Sequence, residues 1–222
     1  MTLGIIAADP YELAPYARRL AFCEGFGQVN RRPARGATLA GDAVRLAAFG
    51  PGFRAAARGA DAILAGGPVD VLISTGTCGA LSPGLVLGEI VVDSRDHQPD
   101  TGAEYRRGPI VSQDRVASTA GEKQLLAGQG LAVEMESAAV RAVAARAGVK
   151  FACIKCVSDT AGQSLPLDFN GYRATDGSFR KGRIAAALLA HPFELIPAIV
   201  RLQRQSRLAA QALGGFLAAC RF

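Results

Sequence analysis

The chain has 222 residues, half of them hydrophobic and 26 of them glycine, enough for one α/β domain with a full core and too few for two comfortable ones. This composition excludes a disordered chain, and the apolar runs are strand-length, which excludes a membrane span. A formal charge of +6 and a pI near 9.4 suit an anionic partner, but few aromatics and no nucleic-acid motif accompany them, so nucleic acid is not expected. No charged, apolar, small-residue pattern marks a signal peptide, and a cytoplasmic location is the expectation.

Residues 3–8 read as a buried strand, and residues 11–22 as a helix with Leu13, Tyr16, Ala17 and Leu20 on one face. Residues 43–49 form a second predicted strand, ended by the turn Gly50-Pro51-Gly52, after which 53–64 is helical. A short buried strand at 69–74 runs into a Gly-rich loop, Thr75-Gly76-Thr77-Cys78-Gly79-Ala80. Further strands are expected at 89–92 and 131–133, then a helix at 137–147 and a strand at 151–157. Residues 93–109 and 161–179 show no period and are expected to be long loops of the kind that serve as lids or binding loops. This alternation predicts an α/β sandwich about a central sheet, with ligands bound beyond strand C-terminal ends.

After residue 179, Arg180, Lys181, Arg183, Arg201, Arg204, Arg207 and Arg221 face a single acid, Glu194, among Leu188, Leu189, Phe193, Ile196, Ile199, Val200 and Leu202. Residues 181–222 thus read as a basic, apolar helical tail. Such a tail can cover its own core or lie on an anionic membrane surface.

The cysteines, Cys23, Cys78, Cys153, Cys156 and Cys220, are odd in number and scattered, which is no disulfide framework. Cys153-Ile154-Lys155-Cys156 has the spacing of a redox or zinc motif, but in a strand residues three apart point to opposite faces and cannot share an ion. With His97 and His191 the only histidines, no metal is expected.

The run Ala132-Val133-Glu134-Met135-Glu136-Ser137-Ala138-Ala139 sets two carboxylates at a strand-to-helix junction, where a helix N-terminus favours negative charge. Glu12, Thr77, Glu136 and Ser158-Asp159 all fall at predicted strand ends, and a sheet brings such ends to one rim. Carboxylates and hydroxyls without a metal, a Cys/His pair or a Ser/His/Asp set suit cleavage of a glycosidic bond. One acid protonates the leaving group, another activates the nucleophile, and carboxylate supports the oxocarbenium charge.

Taken in order, Gly4-Ile5-Ile6-Ala7-Ala8 with Glu12, Ser74-Thr75-Gly76-Thr77-Cys78-Gly79-Ala80-Leu81, Val133-Glu134-Met135-Glu136-Ser137-Ala138-Ala139 and Val157-Ser158-Asp159-Thr160-Ala161 resemble the purine nucleoside phosphorylase and methylthioadenosine/S-adenosylhomocysteine nucleosidase family. The resemblance implies a three-layer αβα sandwich with a central mixed sheet. It implies that Asp159 shares a proton with purine N7 and selects adenine, with Ser158 holding its carboxyl. It further implies that Glu136 binds the ribose hydroxyls with Met135 packed on the sugar, that Thr77 belongs to the ribose loop, and that Glu12 activates water. Of the two acids about Met135, the resemblance makes Glu136 the ribose acid and leaves Glu134 to shape the strand end.

Hexameric phosphorylases of this family carry an arginine where this chain has Ser74, which argues against their phosphate site. Gly50, Gly52 and Arg54, with Gly76, stand as a candidate phosphate or nucleophile site; the alternative is a plain turn beside a solvated arginine. No cofactor is expected beyond phosphate as a co-substrate, and the family implies a homo-oligomer. Ser164-Leu165-Pro166-Leu167-Asp168 and the tail around His191-Pro192-Phe193 resemble hopanoid-associated phosphorylases, which implies an adenosyl nucleoside linked to a triterpenoid, adenosylhopane, as substrate. Methylthioadenosine or S-adenosylhomocysteine is the alternative. A reading of another class, a non-catalytic nucleoside sensor, would not require all of Glu12, Glu136 and Asp159.

Overall fold

The computed structural model describes residues 1–20, 42–95, 97–174 and 177–222, and the backbone alone of 34–39. Cys23 and the last two residues of the helix expected at 11–22 lie outside the described residues. In chain order the elements are β1 (Thr2–Ala7), α1 (Pro10–Ala17), β2 (Ala34–Leu39), β3 (Asp42–Ala48), α2 (Phe53–Ala65), β4 (Val71–Ala80), β5 (Ile90–Asp93), β6 (Arg106–Arg107), β7 (Ile110–Ser112), α3 (Ala120–Leu126), β8 (Ala132–Glu134), α4 (Ser137–Ala147), β9 (Lys150–Asp159), a 3-10 turn (Phe169–Tyr172), α5 (Lys181–Ala190) and α6 (Pro192–Ala219).

One mixed sheet runs β2-β3-β1-β4-β9-β5-β6, with β8 attached to the end of β4 and β7 to β8. β1 lies parallel between β3 and β4, and β9 is parallel to β4. Alternation along the central strands sends side chains to two cores. Leu3, Ile5, Ile73, Ile154 and Cys156 pack with Leu13 and Tyr16 of α1 and Leu213 and Phe216 of α6. Ile6, Leu72, Phe151, Cys153 and Val157 pack with Ala60 and Ile63 of α2 and Val140 and Val143 of α4. The result is the αβα sandwich, and Cys153 and Cys156 face opposite layers.

Three expectations are corrected. The Gly-rich stretch 75–80 is strand: β9 pairs along β4 as far as Gly79, and β8 pairs with Gly79 and Ala80, so neighbours on both edges override the loop-forming composition. The first helix ends at Ala17, where Arg19 N–H and Leu20 N–H bond back to Tyr16 O and Ala17 O in tighter three-residue steps. The expected loops are partly ordered: 93–109 contains β6 and a bridge from Asp100 to Arg221, and 161–179 contains the 3-10 turn and a bridge from Arg173 to Phe179. Among the described residues no helix is long and apolar enough to cross a membrane.

The tail is helical as expected, and its second half belongs to the core. Ala209, Ala210, Leu213, Phe216 and Leu217 are buried, and α6 meets α1 at Gly214, where an added Cβ would come 2.7 Å from Pro15 Cβ and 2.8 Å from Tyr16 N. Main chain cannot yield as a side-chain tip can. Gly214→Val should therefore destabilise the protein by about 1–3 kcal/mol, read as a lower urea midpoint; an unchanged midpoint would show that the two helices can separate without cost.

Candidate functional site

The C-terminal ends of β1, β4, β8 and β9 open into one cavity of about 690 Å³ whose lining includes Glu12, Thr77, Met135, Glu136, Ser158 and Asp159. The sheet thus brings together the acids and hydroxyls expected to share a rim. Glu12, Glu134, Glu136, Ser158 and Asp159 are all buried.

Glu12 is placed by a helix start. Asp9 caps α1 by accepting from Tyr11 N–H, and Glu12 Oε2 accepts from Asp9 N–H at 3.0 Å, completing a capping box. The other oxygen accepts from Thr77 N–H at 2.7 Å and Thr77 Oγ1 at 2.9 Å. This approach requires Gly76: its φ is +120°, and a Cβ there would stand 2.8 Å from Glu12 Oε1.

Glu134 and Glu136 share one buried ammonium. Lys155 Nζ lies 2.9 Å from Glu134 Oε2 and 3.3 Å from Glu136 Oε2, and it donates to Thr75 O at 2.9 Å. Glu134 also accepts from Glu136 N–H, Ser137 N–H and Ser137 Oγ, and so caps α4 from the preceding strand. Glu136 Oε1 accepts from Gly52 N–H at 3.0 Å, tying β8 to the turn before α2. Burial pushes both carboxyls up. For Glu134 the Lys155 charge and the serine hydroxyls overcome burial and hold it below the usual range. For Glu136 burial, with the charges of Glu134 and Glu12 added, outweighs Lys155 and Gly52 N–H and leaves it raised. Burial lowers Lys155, but its two carboxylates overcome this and hold it well above its ordinary value.

Asp159 ends β9. Its Oδ1 accepts from Ser158 Oγ at 2.8 Å, and its Oδ2 pairs with Lys123 Nζ, which also donates to Thr160 O and Gln163 O at 2.9 Å each. Both lysines escaped the sequence reading. Lys155 had a signal, a charge in the middle of an apolar strand run; Lys123 had none, because α3 is too short to show a helical period.

Of the candidate phosphate residues, Gly52 and Arg54 fall together and Gly50 and Gly76 lie apart from them. Arg54 lines, with Gly52, Arg115 and Arg173, a second cavity of about 360 Å³ that adjoins the first at Pro51 and Arg115. Gly52 N–H is engaged by Glu136 and Gly76 lies under Glu12, while Gly50 adopts φ +108° in the turn. The main cavity instead continues away from the acids along Leu165, Phe169, Phe179, Ile184, Ile199 and Leu202. It has a polar end at the sheet and a mainly apolar end under α5 and α6, where Gln203, Ser206 and Arg207 also reach the lining.

The raised Glu136 carboxyl sets a sign. Its folded-state value exceeds the unfolded one, so ionised Glu136 costs stability above an unfolded value of about 4.3, and that cost vanishes below it. Glu136→Gln keeps an acceptor for Gly52 N–H. The variant should melt above the parent at pH 7, with the gap closing toward pH 4. A lower melting temperature at pH 7 would show that the pairing with Lys155 outweighs burial.

The fold has counterparts among solved structures. The chain superposes with a TM-score of 0.72 on S-adenosylhomocysteine nucleosidase from Streptococcus pyogenes, at 19% identity over 99% of this chain and 95% of that one. It gives the same score on futalosine hydrolase from Helicobacter pylori, at 16% identity over 99% and 97%. For methylthioadenosine/S-adenosylhomocysteine nucleosidase from Neisseria meningitidis the score is 0.69 at 21% identity over 98% and 97%. These similarities carry the fold. The sequence model of the phosphorylase superfamily matches residues 2–98 and 94–190, most of the chain, and on that match this protein belongs to the phosphorylase superfamily.

Proposed function

We propose that the protein cleaves the N-glycosidic bond of an adenosyl compound with water, releasing adenine. The observation that carries this reading is the convergence of Glu12, Glu136 and Asp159 on one cavity. As the C1′–N9 bond breaks, its electron pair passes to the base and Asp159 delivers a proton to N7, so the base leaves neutral. Glu136 accepts from the ribose hydroxyls and, with Glu12, supports the positive charge at C1′. Water adds to C1′ and yields its proton to Glu12. Water is preferred over phosphate because Arg54 does not line the cavity that holds the acids, Gly52 N–H is already taken by Glu136, and Ser74 stands where the phosphorylases carry arginine.

The apolar end of the cavity supports a hydrocarbon substituent on C5′, which favours adenosylhopane over methylthioadenosine or S-adenosylhomocysteine. Adenine should be released from adenosylhopane and, with lower kcat/KM, from methylthioadenosine, at rates unaffected by phosphate. Asp159→Ala should lower kcat by about 10²–10⁴-fold in a folded protein. A strict phosphate requirement would replace water as the nucleophile, and no adenine from either compound would overturn the reading.

A lipid-linked substrate also gives the outer face of α6 a use. Ile199 and Leu202 line the cavity, while Phe193, Ile196 and Val200 on the same helix face outward, Phe193 93% exposed. Arg201 and Arg204 of the same helix are exposed, and such a face fits an anionic lipid surface. Because the end of α6 is core, the test is a surface variant. The protein should bind anionic vesicles and not neutral ones, and Phe193→Asp with Ile196→Asp should weaken that binding at least about tenfold. Equal binding by the two proteins would remove the membrane from the proposal.

A further inference from the structure

The least explained group at the site is Lys123. It is the one basic side chain of a two-turn helix, 1% exposed, with each ammonium proton directed to a different acceptor: Asp159 Oδ2, Thr160 O and Gln163 O. Burying an ammonium is costly unless it is fully hydrogen-bonded and paired. Several features hold this one in place. Thr119 and Glu122 form a capping box at the start of α3. Ala120 N–H donates to Ser164 Oγ, and Leu165 N–H to Ser118 O. The stem passes Gly79, where a Cβ would lie 3.4 Å from Lys123 Cε and 2.9 Å from Asp159 Oδ2. Strand β4 therefore leaves just the room that the pair needs.

Resting on the adenine-releasing function above, we propose that Lys123 acts through Asp159 as a positioning residue that also supplies the proton handed to the leaving base. Ser158 Oγ fixes one carboxylate oxygen and Lys123 the other, so Asp159 has little freedom to rotate. The pair carries no net charge and holds one transferable proton. As the C1′–N9 bond breaks, the electron pair enters the base, N7 takes a proton from Asp159, and Lys123 passes one of its protons to Asp159. The pair ends as a carboxylate and a neutral amine, and the amine recovers its proton from solvent after the base departs. The same ammonium pins the backbone of Thr160 and Gln163, just ahead of Leu165 in the cavity wall, so acid and wall are set by one group.

The test removes the ammonium and returns it from solution. Lys123→Ala opens a space beside Gly79 and Asp159, both of which line the cavity. It should lower kcat for adenine release by about 10²–10³-fold while KM changes less than about threefold. Ammonium or methylammonium should restore at least about a tenth of the lost rate, whereas tetramethylammonium, a cation with no proton to give, should restore none. Thermal unfolding of each sample verifies that it is folded. Gly79→Ala, which removes no functional group, should also lower kcat by displacing the pair. If the parent releases no adenine, the functional reading fails and this inference falls with it. If the parent is active and folded Lys123→Ala matches it, or tetramethylammonium rescues as well as ammonium, only the role of Lys123 is overturned.

Discussion

The arrangement of the site depends on one buried ammonium, Lys155, between two buried carboxylates. Glu134 and Glu136 lie two residues apart, on opposite sides of Met135, and the turn from β8 into α4 brings both against β9. Without a cation, two carboxylates in so dry a place would repel, and one would keep its proton. Lys155 removes that conflict unequally. Glu134 collects the hydrogen bonds of the helix start as well as the ion pair and is stabilised as an anion, while Glu136 is left raised. Removing Lys155 would leave two buried carboxylates uncompensated, a loss of about 3–5 kcal/mol, so the strand-helix junction and the placement of Glu136 are a single structural commitment.

The same economy recurs elsewhere on the rim, where bonds that end secondary structures also aim acids. Glu12 closes a capping box on α1 with one oxygen and meets Thr77 with the other. Gly52 opens α2, and its N–H holds Glu136. Since a cap and a site share the same atoms, the helices cannot shift without moving the acids. The cavity is therefore as rigid as the sheet that carries it, which suits a reaction whose acceleration depends on preorganised charge.

How far the site was legible in the sequence follows from these bonds. Glu12, just past the first strand, and the acids about Met135 are local patterns, and they mark strand ends that the sheet then gathers. The central strands and α2 and α4 were legible for the same reason, since their periods run over enough residues to show. β6, with two residues, and α3, with seven, are too short for a period to emerge. The Gly-rich half of β4 reads as loop by composition and is strand because β9 and β8 supply partners that no local pattern encodes. Lys123 and Lys155 are the deepest loss: their meaning lies in what faces them across 36 and 19 residues of chain.

The cavity joins two environments that favour opposite things, and α6 is the element that reconciles them. Buried carboxylates at the sheet end strengthen as water is removed, yet a cavity open at its far end lets water in. Leu165, Phe169, Phe179, Ile184, Ile199 and Leu202 line that far end, where an apolar ligand displaces water that is poorly held. Under the proposed function, a nucleoside with a small substituent would reach the acids and leave this end wet. One with a long hydrocarbon would dry it and strengthen every charge interaction at C1′. Discrimination among substrates would then appear in kcat as well as in KM, because the distant hydrocarbon acts on the field in which the bond breaks.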